Sequence, residues 1–194
     1  EGNNLALISD CGTPVFADPG LSLIKAAINR NLPIVVVPGA SSAMTALVRS
    51  GMKADSFLCA GFLSRKPEER KSQIHDLSLE RRTVVVLETP YRLMPLLTAM
   101  AEAMPERKAY IGCNLTLPSE TNHYGTFTEL LQKFSELKFK GEFVVVFDGN
   151  QQPMKKVSMT SFQQGSEDDE PKNRGFREHR TFNDRPQSRD DRRF

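Results

Sequence analysis

The chain has 194 residues, 39% hydrophobic and 26% charged, with a formal net charge of +2. This describes a soluble protein whose ordered part buries a real core, and a near-neutral balance leaves any nucleic-acid contact to local patches. Cys11, Cys59 and Cys113 are isolated, which argues against a metal clip and for a reducing cytoplasm, and no apolar run approaches the roughly 20 residues that cross a bilayer. The polar start, Glu1 to Asn4, does not read as a secretory leader.

In chain order, Leu5 to Ile8 reads as a buried strand that ends in Ser9-Asp10 and a turn at Gly12-Thr13-Pro14. A helix is expected over Ser22 to Asn31, a second strand over Ile34 to Val37, and a helix over Ser41 to Arg49 closed by Gly51. Continuous apolar strands joined by a helix imply a parallel sheet. Two strands make an incomplete sheet, since about four to six are usual, so an upstream portion of it is expected.

A second block begins near Asp55. It contains strands Phe57 to Phe62, Thr83 to Leu87, Ala109 to Leu115, Asn122 to Phe127 and Glu142 to Phe147, with helices Glu68 to Leu79, Arg92 to Ala103 and Thr128 to Leu137. The division is therefore 1–53, part of an N-terminal parallel-sheet domain; 54–149, a second α/β domain; and 150–194, a charged tail poor in aliphatic residues that is expected to be disordered. The tail combines an acidic knot, Glu167 to Glu170, with arginines and aromatics such as Arg174, Phe176, Arg177 and Phe182. That mixture suits either a solvated tail or an RNA-binding arm.

Two segments lie where ligands bind in open α/β sheets, beyond the carboxyl ends of strands. The first runs from Ser9 to Gly20 and reads either as a pocket wall or as an ordinary strand-to-helix loop. The second, Val37-Pro38-Gly39-Ala40-Ser41-Ser42-Ala43, opens a helix whose free N–H groups are capped by a serine or offered to a ligand carboxylate or carbonyl. Neither has the G-x-G-x-x-G or G-K-[ST] pattern of a phosphate site. Arg65, Lys66, Arg70 and Lys71 open a charged helix, where cations oppose the macrodipole; they read as phosphate contacts or as a solvated face partly balanced by Glu68 and Glu69. His75, His123 and His179 lack metal-pair spacing, so no metal is expected.

These segments, followed by Gly61-Phe62-Leu63-Ser64-Arg65-Lys66, Glu88-Thr89-Pro90-Tyr91-Arg92 and Lys140-Gly141-Glu142, occur in the order S-D-A-G-T-P, D-P-G, P-G-x-S/C-A, G-F-L-P-x-K, E-S-P-H-R or E-T-P-Y-R, and K-G-E. In this the chain resembles the tetrapyrrole-methylase superfamily, and within it the ribosomal RNA small subunit methyltransferase I group, over residues 1 to 149 and with the family's glycine-rich first turn missing at the N-terminus. The resemblance implies a two-domain α/β fold, an incomplete parallel-sheet N-domain plus a mixed-sheet C-domain, with S-adenosylmethionine between them. It also implies methyl transfer to a ribose 2'-hydroxyl of small-subunit ribosomal RNA, and a homodimer.

By the same resemblance, Asp10, Gly12, Thr13, Pro14 and Phe16 line one side of the cofactor. Ala40, Ser41, Ser42 and Ala43 line another, and Leu87 and Glu88, ending a strand of the second domain, close over it. Arg65, Lys66, Arg70, Lys71 and Arg92 face the RNA. Glu88 is the candidate base, or else a structural carboxylate paired with Arg92. The relatives' A-R-E-L-T-K is replaced here by Gly112-Cys113-Asn114-Leu115-Thr116-Leu117. Two other functions are carried beside the first: a same-fold methylase acting on a tetrapyrrole or another small acceptor, and an inactive form whose tail binds RNA.

Overall fold

The strands β1 (Phe57–Phe62), β2 (Thr83–Glu88), β3 (Lys108–Cys113), β4 (Thr121–Thr126) and β5 (Phe143–Phe147) form one sheet in the order β1-β2-β5-β3-β4 in a computed structural model. It describes residues 2–9, 12–137 and 139–151. All but the first two positions of the expected charged tail lie outside the described residues. β1 runs parallel to β2, and the β2–β5, β5–β3 and β3–β4 pairs are antiparallel, so the sheet is mixed. The helices are α1 (Leu21–Asn29), α2 (Ser42–Ser50), α3 (Pro67–Leu79), α4 (Leu93–Ala103) and α5 (Phe127–Glu136).

β2 and β5 read as unbroken apolar runs because both faces of the sheet are covered. Their alternation sorts the core into two layers. Val84, Val86, Ile111, Val145 and Phe147 face α3, α4 and α5, where Ile74, Leu97, Met100, Leu130 and Phe134 pack on them. Val85, Leu87, Tyr110, Val144 and Val146 face the other way and are covered by Ala43, Ala46 and Leu47 of α2. Thus α2 packs directly against the sheet of the second block.

Local chemistry sets the helix ends. The Ser41 hydroxyl accepts a hydrogen bond from the Met44 N–H, and Gly51 ends α2 with φ 66°, a left-handed conformation that glycine adopts without strain. Thr126 and Glu129 cap α5 reciprocally, each side chain accepting the other's backbone N–H. β3 stops at Cys113, short of the expected Leu115, because Asn114 turns to φ 49° and leaves the extended region.

The two strands expected at the N-terminus do not form. Residues 5–8 and 34–37 carry no strand pairing, and Leu5, Ile8, Val35, Val36 and Val37 are exposed. A lone pair of strands has too little buried area to offset the entropy of ordering it. Helix α1 forms but buries none of its residues. No helix among the described residues is long and apolar enough to cross a membrane.

Candidate functional site

The two turns singled out in the sequence meet in space. The Thr13 hydroxyl donates a hydrogen bond to the Ala40 carbonyl at 2.9 Å. Gly12 has φ 94°, and a Cβ placed on it would lie 2.5 Å from the Ala40 carbonyl oxygen; a Cβ on Gly39 would run into the carbonyl oxygen of Gly12. Glycine at both positions therefore lets the two backbones touch directly. Pro14 is half-buried beside this junction and Phe16 is largely exposed. Asp10 lies outside the described residues.

From the junction the chain enters α2. Ser41 is half-buried and spends its hydroxyl on the cap, while its carbonyl accepts a hydrogen bond from the Thr45 hydroxyl at 2.9 Å. Ser42 is exposed, and Ala43 is buried in the same cluster as Leu87. The C-terminal end of α2 lies by Lys108 and Asp148, at the end of the sheet opposite Leu87 and Glu88, so its first turn is directed toward the carboxyl ends of β1 and β2. A chain of neighbours thus runs from Gly12 through Ala40 to Ala43 and Leu87.

Glu88 sits one position further along β2 and so on the opposite face from Leu87. It is 3% exposed. Its Oε1 accepts a hydrogen bond from the Thr89 N–H at 2.9 Å, and its Oε2 lies 3.3 Å from Arg92 Nη2, an ion pair not aligned as a hydrogen bond. The same Arg92 nitrogen donates to the Ser64 carbonyl at 3.0 Å. Glu88 is thus paired with Arg92, and Arg92 acts as a tether between two loops.

Arg65, Lys66 and Lys71 are exposed and Arg70 is half-buried. Lys66 reaches Glu69 at 2.7 Å, and hydrogen bonds from Lys66 and Ser64 hold the Glu69 carboxyl below its usual range. Part of the basic charge at the start of α3 is thereby balanced. Among the described residues, no group of three or more His, Cys, Asp or Glu side chains is placed to hold a metal.

One network was not legible in the sequence. Glu120, in the loop between β3 and β4, accepts from Asn122 Nδ2 at 2.9 Å and from the Thr116 N–H at 2.7 Å, and pairs with Arg49 of α2. These donors, Asn122 first, hold its carboxyl at about 2. The Tyr124 hydroxyl donates to the Arg49 carbonyl at 2.8 Å, and the buried Tyr110 hydroxyl donates to Asn122 Oδ1 at 2.5 Å. Burial pushes Tyr110 up to about 12. The network ties α2 to the sheet, and with it the turn from which α2 springs. Its members are scattered over 76 positions, from Arg49 to Tyr124, with no motif to connect them.

A cleft of about 680 Å³ is lined by Gly51, Lys53, Lys108, Tyr124, Glu129 and Asp148, among others. It lies at the far end of the sheet and includes none of the sequence-derived site residues.

Residues 1–131 match the family described as Tetrapyrrole (Corrin/Porphyrin) Methylases. The chain is 36% identical over 150 residues to the ribosomal RNA small subunit methyltransferase I of Bacillus subtilis, covering 77% of this chain and 51% of that protein. It is 37% identical to the Synechocystis protein of the same name (76% and 53% covered) and 41% identical to the one from Mesorhizobium japonicum (74% and 50% covered). The chain spans about half the length of these relatives.

Among solved structures it is similar to a cobalt precorrin-4 methyltransferase, with TM-score 0.55 and 14% identity over 71% of this chain and 61% of that one. It is also similar to the uroporphyrin-III C-methyltransferase of Thermus thermophilus complexed with S-adenosylhomocysteine, with TM-score 0.50 and 14% identity over 71% and 62%. At these identities the likeness concerns the fold, and it agrees with the mixed α/β architecture. The ordered motifs, the junction of the two turns, the sheet and the match over 131 residues lead to one assignment: the chain belongs to the tetrapyrrole (corrin/porphyrin) methylase family.

Proposed function

We propose that this chain is part of an S-adenosylmethionine-dependent methyltransferase that methylates a ribose 2'-hydroxyl of small-subunit ribosomal RNA. The observation that carries the reading is the Thr13–Ala40 hydrogen bond, which joins the two ligand-facing turns. The acceptor follows from relatives at 36–41% identity whose names specify small-subunit ribosomal RNA. A tetrapyrrole acceptor has the names of the solved neighbours in its favour, but at 14% identity they bear on fold alone.

The chemistry of the joined turns fits this cofactor. It consists of backbone amides and carbonyls, the hydroxyls of Thr13, Ser41 and Ser42, and the apolar Pro14, Phe16, Ala40, Ala43 and Leu87, with no lysine or arginine among them. Such a set suits a zwitterion without phosphate, whereas a nucleotide phosphate calls for a cationic cradle. When bound, S-adenosylmethionine supplies an electrophilic methyl on a sulfonium centre.

The protein's part is alignment and desolvation. Thr13 and Ala40 fix one turn against the other, and Ala43, buried in one cluster with Leu87, seats the second turn on the sheet. Glu88 holds Arg92, and Arg92 holds Ser64, which sets Arg65 and Lys66 toward RNA phosphates. Arg70 and Lys71 extend that basic edge. In this reading Glu88 is a positioning group rather than the base.

The proposal includes the division into 1–53 and 54–149, a cytoplasmic location suited to a ribosomal acceptor, and a homodimer. Calorimetry with S-adenosylmethionine tests the cofactor, and transfer of labelled methyl to small ribosomal subunits, against free tetrapyrrole, tests the acceptor. Binding followed by transfer to the subunits is expected; transfer to the tetrapyrrole alone would overturn the acceptor.

A further inference from the structure

We infer that Tyr91 and Lys140 form a stacking platform for an unpaired base of single-stranded RNA, an inference that rests on the RNA reading above and specifies how the acceptor is gripped. Sheet register brings the parts together. Phe62 pairs with Leu87 and Leu87 with Val144, while Glu88 pairs with Phe143, so the loops 63–66, 89–92 and 139–142 leave the sheet along one edge. Arg92 bonds the first two loops through the Ser64 carbonyl, and the Asn114 N–H donates to the Glu142 carbonyl at 2.8 Å, fastening the third loop to the end of β3.

On this fastened edge stands an aromatic ring that the fold does not use. Tyr91 is 80% exposed in the 3-10 turn Pro90–Arg92, whose backbone is closed by the Arg92 N–H bonding the Thr89 carbonyl at 3.0 Å. A ring held on a rigid turn and left in water contributes little to the core, yet it presents a flat face at small entropic cost. Lys140 Nζ lies 5.8 Å from its centroid, within cation–π range. Phe62, 52% exposed, and Arg65 border the same edge. Glu142 is the exposed acid of the third loop, and Lys140 and Arg65 outweigh it.

An aromatic face beside cations is the chemistry that takes up an unpaired base and its phosphate, whereas a duplex hides its base faces. The test uses the full chain and a fluorescently labelled single-stranded RNA, with a duplex of the same sequence as control, both followed by anisotropy. Tyr91→Ala is expected to weaken single-strand binding about fivefold or more while leaving duplex binding unchanged. Tyr91→Phe is expected to bind as wild type, and Lys140→Ala to flatten the log K against log salt slope by about 0.7.

Circular dichroism of each variant checks the fold. Unchanged single-strand affinity in Tyr91→Ala, equal losses for single strand and duplex, or no RNA binding by the wild type would each overturn the platform. Cofactor calorimetry is read separately. Failure to bind S-adenosylmethionine with the Tyr91 effect intact would sink the methyltransferase reading and leave the platform standing.

Discussion

Arg49, in the last turn of α2, forms an ion pair with Glu120, which lies 71 positions further along the chain in the loop before β4. The pair fastens the helix that begins at the Ala40–Ser42 turn to the loop before β4, through a carboxylate remote from that turn in sequence.

The Glu120 carboxyl is held at about 2, below an ordinary value of 4.5, by Asn122, Thr116 and Arg49. A carboxylate whose folded value is depressed contributes stability that is fully present above the ordinary value and is lost as pH falls toward the folded one. Urea midpoints of the wild type should therefore fall between pH 4.5 and about 2. Glu120→Gln should show a shallower fall over that window and a lower midpoint at neutral pH. Identical pH profiles for the two proteins would remove Glu120 from the account.

Gly39→Ala should separate the two turns. The new methyl group meets the Gly12 carbonyl oxygen, a backbone atom that cannot rotate away. Hydrogen exchange around residues 12–13 and 40–42 should rise, and S-adenosylmethionine affinity should fall roughly tenfold, about 1.4 kcal/mol. Melting of the sheet core, which lies elsewhere, should change little.

Removing Arg92 leaves the Glu88 carboxylate buried without its cation, a change that costs about 3 kcal/mol or more in such pairs. Arg92→Ala should therefore lower stability by about that much in denaturant titration. Glu88→Gln keeps an acceptor for the Thr89 N–H and should be milder. If Glu88→Gln instead abolished methyl transfer with stability and RNA affinity intact, Glu88 would be the base after all.

Tyr110→Phe leaves Asn122 Oδ1 without its phenol donor in a part-buried network. A fully buried unsatisfied acceptor costs about 1–3 kcal/mol, and access to water places this one toward the lower end. The loss should shrink when Asn122 is also replaced, which a double-mutant cycle on thermal unfolding reads directly.

Much of this protein was written in its pattern. The continuous apolar runs of β2 and β5, the capping box at Thr126–Glu129 and the glycine stop at Gly51 are local signals, because each depends on backbone and side chains within a turn or two. The five strands of the second block and the three helices packed on one face were legible for that reason, to within a residue or two at their ends. The same signals misled at 5–8 and 34–37. There the residues favour strand, but a strand exists only when a neighbour supplies its hydrogen bonds.

The sequence by itself determined the elements of the second block, their order and the ordered motifs that mark the family, since these rest on periodicity, caps and turn chemistry. Only the tertiary structure decided that Gly12 and Gly39 meet, that Leu87 and Glu88 point to opposite faces with Glu88 bound to Arg92, and that Arg49 finds Glu120. The physical reason is range. Propensity and capping act over a few residues, whereas pairing of charges and close approach of backbones depend on which segments the sheet and its covering helices bring side by side.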